Sequence, residues 1–175
     1  MRAPLALLTV LLASTAVAQG RHNTAAPIDF GADRIELQDR ADRVVLAGSV
    51  SVKQAEMTLN AARMTVAYTG QVVGGNPQVS RLDASGGVTV RRPNQTARSQ
   101  YAIYDLNRRL ITMLGGVALT QGTNTVNGAR LTINLDTGRA VIDGSGVGGS
   151  AGAPGTTTTT RSGRVTGTFS VPDRN

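Results

Sequence analysis

The chain has 175 residues, no cysteine, no tryptophan, one histidine and a formal charge of +7. This length suits one domain with a modest core, and the missing cysteines exclude disulfide staples, thiol catalysis and thiolate metal sites. The basic excess either serves solubility or favours an anionic partner, and with aromatics at 3% there is little to stack bases, so no nucleic acid is expected.

Residues 1–18 read as a secretory signal peptide. Arg2 supplies the positive start, Leu5 to Leu12 the short apolar run, and Ala16-Val17-Ala18 the small-residue cleavage site, so the mature chain is expected to begin at Gln19. The alternative, an uncleaved membrane anchor, needs a longer apolar run than this one. Loss of Arg2 leaves seventeen basic against eleven acidic residues, a charge of +6. For an exported bacterial protein the available polyanions are phosphorylated glycolipids and anionic lipid head groups. Residues 19–27, which include His22, are expected to be a flexible lead-in.

From Ile28 to Ile142 the apolar residues recur two apart. Val50-Ser51-Val52, Met57-Thr58-Leu59, Met64-Thr65-Val66, Val88-Thr89-Val90, Val117-Ala118-Leu119 and Leu131-Thr132-Ile133-Asn134-Leu135 each place them on one face of a strand. The abundance of valine and threonine suits strands. Turn signals separate the runs at Gly48, Gly70, Gly74-Gly75-Asn76-Pro77, Gly86-Gly87, Pro93-Asn94, Gly115-Gly116, Gly122 and Asp136-Thr137-Gly138. No segment carries a helical period. The pattern predicts an all-β sandwich, jelly roll or solenoid.

An internal repeat supports this. Gly48-Ser49-Val50-Ser51-Val52-Lys53-Gln54, followed by Asn60-Ala61-Ala62-Arg63-Met64, returns as Gly115-Gly116-Val117-Ala118-Leu119-Thr120-Gln121, followed by Asn127-Gly128-Ala129-Arg130-Leu131, at a constant offset of 67. A weaker third copy runs from Gly86-Gly87-Val88 to Tyr104. Repeated strand–turn–strand units mark stacked β architectures. Residues 145–161, glycine-rich and ending in a threonine run, read as a loop that builds no core. Within 162–175 the alternation of Val165, Phe169 and Val171 predicts a last strand and tail, with a disordered tail as the alternative.

Catalytic chemistry is not expected. The lone His22 forms no triad, the acids are scattered singly at Asp83, Asp105, Asp136 and Asp143, and no phosphate-loop pattern precedes a helix, so no metal or cofactor is expected either. Asp29, Asp33, Glu36, Asp39 and Asp42 are read as the solvent face and turns of the first strands.

Several segments, in order and spacing, resemble the LptA/OstA-like family of periplasmic lipopolysaccharide transport proteins. They are Ala32-Asp33-Arg34 after Ile28 and Phe30, the Gly48-to-Gln54 strand, Asn60-Ala61-Ala62-Arg63-Met64, Tyr104-Asp105 with Leu110 to Val117, Gly128-Ala129-Arg130-Leu131 before Asp136-Thr137-Gly138, and Arg164-Val165-Thr166 before Val171-Pro172. The likeness covers residues 28–144 and 162–172. The chain departs from the family where Arg63 and Arg130 replace an acid, and in the long segment after Gly144.

The resemblance implies an open antiparallel β jelly roll over residues 28–144, in the periplasm of a Gram-negative envelope, whose apolar interior holds lipopolysaccharide acyl chains. It further implies head-to-tail stacking of copies, and strand pairing with an inner-membrane anchor protein and an outer-membrane translocon of the same pathway. Each buried methylene contributes roughly 0.8 kcal/mol, so an acyl chain of about a dozen carbons gains on the order of 10 kcal/mol before entropic losses. Arginines at the groove rim would meet phosphates, without the sequence singling any out. By strand parity the interior should be lined by Val50, Val52, Met57, Leu59, Met64, Val66, Val88, Val90, Tyr104, Val117, Leu119, Val126, Leu131, Ile133 and Leu135. With so few aromatics this face is expected to leave a groove. The competing readings are an exported β-solenoid scaffold without a lipid ligand, a basic anion-binding or nucleic-acid-binding module, and an anchored component of the same pathway.

Overall fold

The structure is a computed structural model that describes residues 22–70, 75–144 and 164–168. The signal-peptide segment and all of the Gly/Ser/Thr-rich segment 145–161 lie outside these residues, as do parts of the expected last strand.

Ten strands form one antiparallel sheet: β1 (Ile28–Gly31), β2 (Arg34–Gln38), β3 (Arg43–Gln54), β4 (Met57–Thr69), β5 (Gln78–Arg92), β6 (Gln95–Asp105), β7 (Leu110–Gln121), β8 (Asn124–Asn134), β9 (Ala140–Asp143) and β10 (Thr166–Thr168). A single 3₁₀ turn at Asp39–Ala41 joins β2 to β3. From β3 to β8 each strand pairs with the next, so the sheet is a meander. Each edge holds two short strands. β1 and β2 both pair with β3, and β10 and β9 both pair with β8.

The apolar runs are halves of longer strands. Met57-Thr58-Leu59 and Met64-Thr65-Val66 belong to one thirteen-residue strand. Gly48, Gly86-Gly87 and Gly115-Gly116, expected as turns between strands, lie inside β3, β5 and β7. Hairpin turns fall where expected at Pro93-Asn94, Gly122-Thr123 and around Thr137, and where none was expected at Ala55-Glu56 and around Asn107. What the internal glycines do is shown by the register. It steps between Ala47 and Val50, Asn60 and Arg63, Ser85 and Val88, Arg98 and Tyr101, and Leu114 and Val117. These steps face one another across the sheet and make one continuous bend line. Gly86 and Gly87 both have positive φ, +83° and +78°, a conformation that few L-residues adopt. Bulged positions bend and twist a sheet locally.

The bend divides every long strand into an upper half, toward Gln54, and a lower half, toward Arg43. The edges divide there too. β1 pairs with the upper half of β3 and β2 with the lower half. The first edge is therefore broken at Ala32-Asp33. Asp33 sits at the break, its N–H donating to the Gly48 carbonyl (2.9 Å) and its carboxylate accepting from the Ser49 hydroxyl (3.0 Å). At the far edge β10 takes the upper half of β8 and β9 the lower half.

The two halves close on each other. One hydrophobic cluster contains Val52, Leu59 and Val90 from the upper half with Met64, Tyr104 and Leu131 from the lower. The Tyr104 hydroxyl, in the lower half of β6, donates to Gln54 Oε1 at the upper end of β3 (2.7 Å), although β4 and β5 lie between those strands in the sheet. The architecture is an antiparallel β jelly roll made from one folded sheet. The internal repeat is now explained, because copy one is the hairpin β3–β4, copy two is β7–β8, and the third copy is β5–β6, each carrying the same bend.

Candidate functional site

Direct cross-strand partners share a face of the sheet, so the register lays the inner face out in rungs. The upper rung runs Phe30, Val52, Leu59, Val90, Ala97, Leu119 and Val126. One lower rung runs Ile35, Leu46, Met64, Ala84, Ala102, Met113, Leu131 and Ile142. Another runs Leu37, Val44, Val66, Leu82, Tyr104, Ile111, Ile133 and Ala140. Apart from the Tyr104 hydroxyl, these are three unbroken apolar rungs from one edge of the roll to the other.

Burial varies along them in an ordered way. In the middle, Leu46, Met64, Ile111, Met113 and Leu131 have no exposed surface. Such residues touch no void large enough for water, so the centre is packed. The expected groove is absent there, because side chains of both halves, Val52 and Leu59 of the upper with Met64 and Leu131 of the lower among them, form one buried cluster. At the first edge the same rungs surface as Phe30, Ile35 and Leu37, which are 46%, 53% and 46% exposed. At the far edge Leu119, Val126 and Ile142 are half-buried. The inner face is thus closed in the centre and open at both ends.

All fifteen residues expected on the inner face lie on it. Thirteen are buried, while Leu119 and Val126 are the two at the opening. The same parity also puts Ile35, Leu37, Leu46, Leu82, Ile111 and Met113 on the inner face, beyond the fifteen expected there.

The last inner rung, at the upper end, changes character. It holds Gln54 opposite Met57, Arg92 opposite Gln95, and Gln121 opposite Asn124. Gln54 is 3% exposed and fully bonded. Its Oε1 accepts from Tyr104, and its Nε2 donates to the carbonyls of Thr24 (3.0 Å) and Ala26 (3.1 Å). His22 Nε2 lies 3.3 Å from the same Oε1, which can only accept, so the imidazole carries its proton on Nε2. Residues 22–26, expected as flexible, are placed against the end of β3 by these bonds.

Burial pushes the Tyr104 hydroxyl up to about 12, against smaller opposing effects of its Gln54 bond and of Arg109, which keeps it a donor. Desolvation likewise lowers the His22 pKa, with Arg92 acting in the same direction and the Gln54 bond and Glu56 opposing. Among the described residues no buried side-chain nitrogen or oxygen lacks a partner, and no three of His, Cys, Asp and Glu gather as a metal set.

A cleft of about 410 Å³ opens beside this rung. Met57 and Leu119 form its apolar part, and His22, Glu56, Arg92, Gln95 and Gln121 its polar part, with Thr137, Gly138 and Ala140 from the lower half across from them. It lies where the upper and lower ends of the folded sheet face each other. The volume is within the range of small-ligand pockets, roughly 300–1,000 Å³. Apolar surface next to a polar rim suits an amphiphile.

Residues 30–139 match the family described as LptA/(LptD N-terminal domain) LPS transport protein. An uncharacterized protein of Rhizobium meliloti (strain 1021) is 32% identical over an alignment of 148 residues that covers 78% of this chain and 80% of that protein. In fold the chain is similar to LptH of Pseudomonas aeruginosa, described as the LptA-homologous periplasmic component of the conserved lipopolysaccharide transport device. The TM-score is 0.68 at 16% identity, over 86% of this chain and 99% of that one.

Proposed function

Because the chain belongs to the LptA/LptD N-terminal-domain family of lipopolysaccharide transport proteins, we propose that it is a non-enzymatic periplasmic carrier that shields lipopolysaccharide acyl chains in the folded sheet. The observation that carries this reading is the continuity of the apolar rungs, buried in the centre, exposed at the first edge and half-buried at the far edge. A scaffold that binds nothing has no physical reason to leave Phe30, Ile35 and Leu37 exposed on edge strands, where apolar residues with free backbone groups invite aggregation. Edge exposure becomes useful if another strand adds there. Copies would stack head to tail, the β1–β2 edge of one against the β9–β10 edge of the next. The same strand addition would join the row to an inner-membrane anchor and an outer-membrane translocon. Residues 1–18 would direct export and be removed.

The test is native purification from the periplasm with mass spectrometry for co-purifying lipid A. Lipid A is expected on the wild-type protein and reduced on Leu119→Asp, which puts a charge at the half-buried opening. A wild-type protein that carries no lipid A and binds none when it is added returns the reading to the structural scaffold.

A further inference from the structure

Nine lysines and arginines lie on the described strands, and eight of them fall on the outer face. Lys53, Arg91 and Arg98 are on the outer face of the upper half, and Arg34, Arg43, Arg63, Arg81 and Arg130 on that of the lower half. Arg92 alone has inner-face parity, following Val88 and Val90 along β5 and facing Gln95. It is half-buried, it lines the cleft, and it also lines the shallower recess on the far side of Gln95 and Gln121. Arg34, Arg81, Arg109 and Arg130 each have a carboxylate within 4 Å, whereas Arg92 has none among the described residues. Glu56 is the acid in the cleft, and it makes no ion pair there. A half-buried guanidinium without an anion is a costly arrangement unless a ligand supplies one. Its planar fork matches phosphate oxygens in pairs.

We propose that Arg92 is a phosphate-recognition residue of the cleft, holding a phosphate monoester carried on an acyl lipid while Met57 and Leu119 receive the start of its acyl part. Gln95 and Gln121, beside it on the rung, offer further amide donors. This assignment rests on the carrier reading and adds to it a residue that reads the head group. Free phosphate is the other source of the same chemistry.

The experiment measures binding of diphosphoryl lipid A, fully dephosphorylated lipid A and inorganic phosphate to the wild type, Arg92→Gln, Arg92→Lys and the outer-face control Arg98→Gln. Circular dichroism confirms that each variant is folded. Arg92→Gln is expected to weaken diphosphoryl lipid A about tenfold, the scale of one charge-assisted contact. It should leave dephosphorylated lipid A unchanged, with Arg92→Lys in between and Arg98→Gln like the wild type. Equal weakening of both lipids, or of neither, overturns the assignment to Arg92 while leaving the carrier reading standing. Tight Arg92-dependent binding of inorganic phosphate alone overturns the lipid assignment. A wild type that binds neither lipid overturns the carrier reading and this site with it.

Discussion

Two adjacent glycines on the bend line provide a controlled test of what folds the sheet. Both have left-handed backbone angles, so either one changed to alanine should cost about 1–2 kcal/mol of backbone strain, partly offset by about 0.4–1 kcal/mol of lost unfolded-state freedom. They differ in what a Cβ would meet. At Gly87 nothing lies within 4 Å, whereas at Gly86 the Ala62 Cβ of the neighbouring strand would be 2.7 Å away. The preferred carbon–carbon separation is about 3.5–4.0 Å, so the second case adds overpacking of roughly 1–3 kcal/mol. Gly87→Ala is therefore expected to destabilise by about 1 kcal/mol and Gly86→Ala by about 2–4 kcal/mol. In urea, with a slope of about 2 kcal/mol/M, the unfolding midpoint should fall by about 0.5 M and about 1–2 M respectively. Ala62→Gly should relieve the clash without relieving the strain, so a double-mutant cycle with Gly86→Ala should show favourable coupling of about 1 kcal/mol or more. Equal effects at the two glycines, or no coupling with Ala62, would refute the assignment of the bend to close packing at that line.

Three further outcomes follow from the same geometry. Gln54→Leu removes the acceptor of the buried Tyr104 hydroxyl and the amide that holds the Thr24 and Ala26 carbonyls, so stability should drop by about 2–3 kcal/mol and residues 22–26 should lose hydrogen-exchange protection. Unchanged exchange there would mean that the segment is held by something else. Leu131→Ala, at a position with no exposed surface, should cost about 2–5 kcal/mol, whereas Leu37→Ala, 46% exposed on a parallel rung, should cost less than about 1 kcal/mol in the isolated chain and show itself in self-association by light scattering. His22 has a lowered pKa, so the docked segment is fully stabilised with the imidazole neutral, above pH 6.5, and that stabilisation declines as pH falls below 6.5 toward the lower folded value. Gln54, Arg92 and Glu56 all act on this ring. An NMR titration of His22 should place its midpoint below 6.5 in the wild type and nearer 6.5 in Gln54→Leu, where release of residues 22–26 returns the ring to water and outweighs the loss of the Gln54 bond.

The strands and the inner face were legible in the sequence because period-two alternation reports which residues share a face, and the fold keeps that period. The turns were less legible. A glycine pair reads the same whether the chain reverses or merely bends, and only pairing with neighbours separates the two. Gly86-Gly87 and Gly115-Gly116 therefore read as turns between strands although they lie inside them. Ala55-Glu56 turns without a glycine or proline, through a positive φ at Ala55, and gave no signal. Gln54 and Arg92 could not be singled out either. Gln54 repeats as Gln121, yet one is buried under residues 22–26 and the other is exposed beside the cleft. Arg92 differs from Arg91 only by parity, and parity near a strand end is decided by where the turn begins.

The packed centre of the roll bears directly on how a carrier of this kind would work. An acyl chain of about a dozen carbons gains on the order of 10 kcal/mol by leaving water. In a preformed groove most of that gain would appear as affinity, and release to the next copy would be slow. Here the rungs of the two halves already bury one another, so on the carrier reading a lipid that enters must part Met64 and Met113 from their neighbours before it is covered. The free energy of parting them is subtracted from the affinity, as for any ligand whose binding-competent state is sparsely populated. Leu119 and Val126 are where the parting would begin, since they are already half-open and the strand edge beside them is short. Methionine tolerates such repacking better than branched side chains do. A closed interior is in this sense compatible with transport. On the carrier reading it would keep binding weak enough to be reversed, and would cover its own apolar surface when empty.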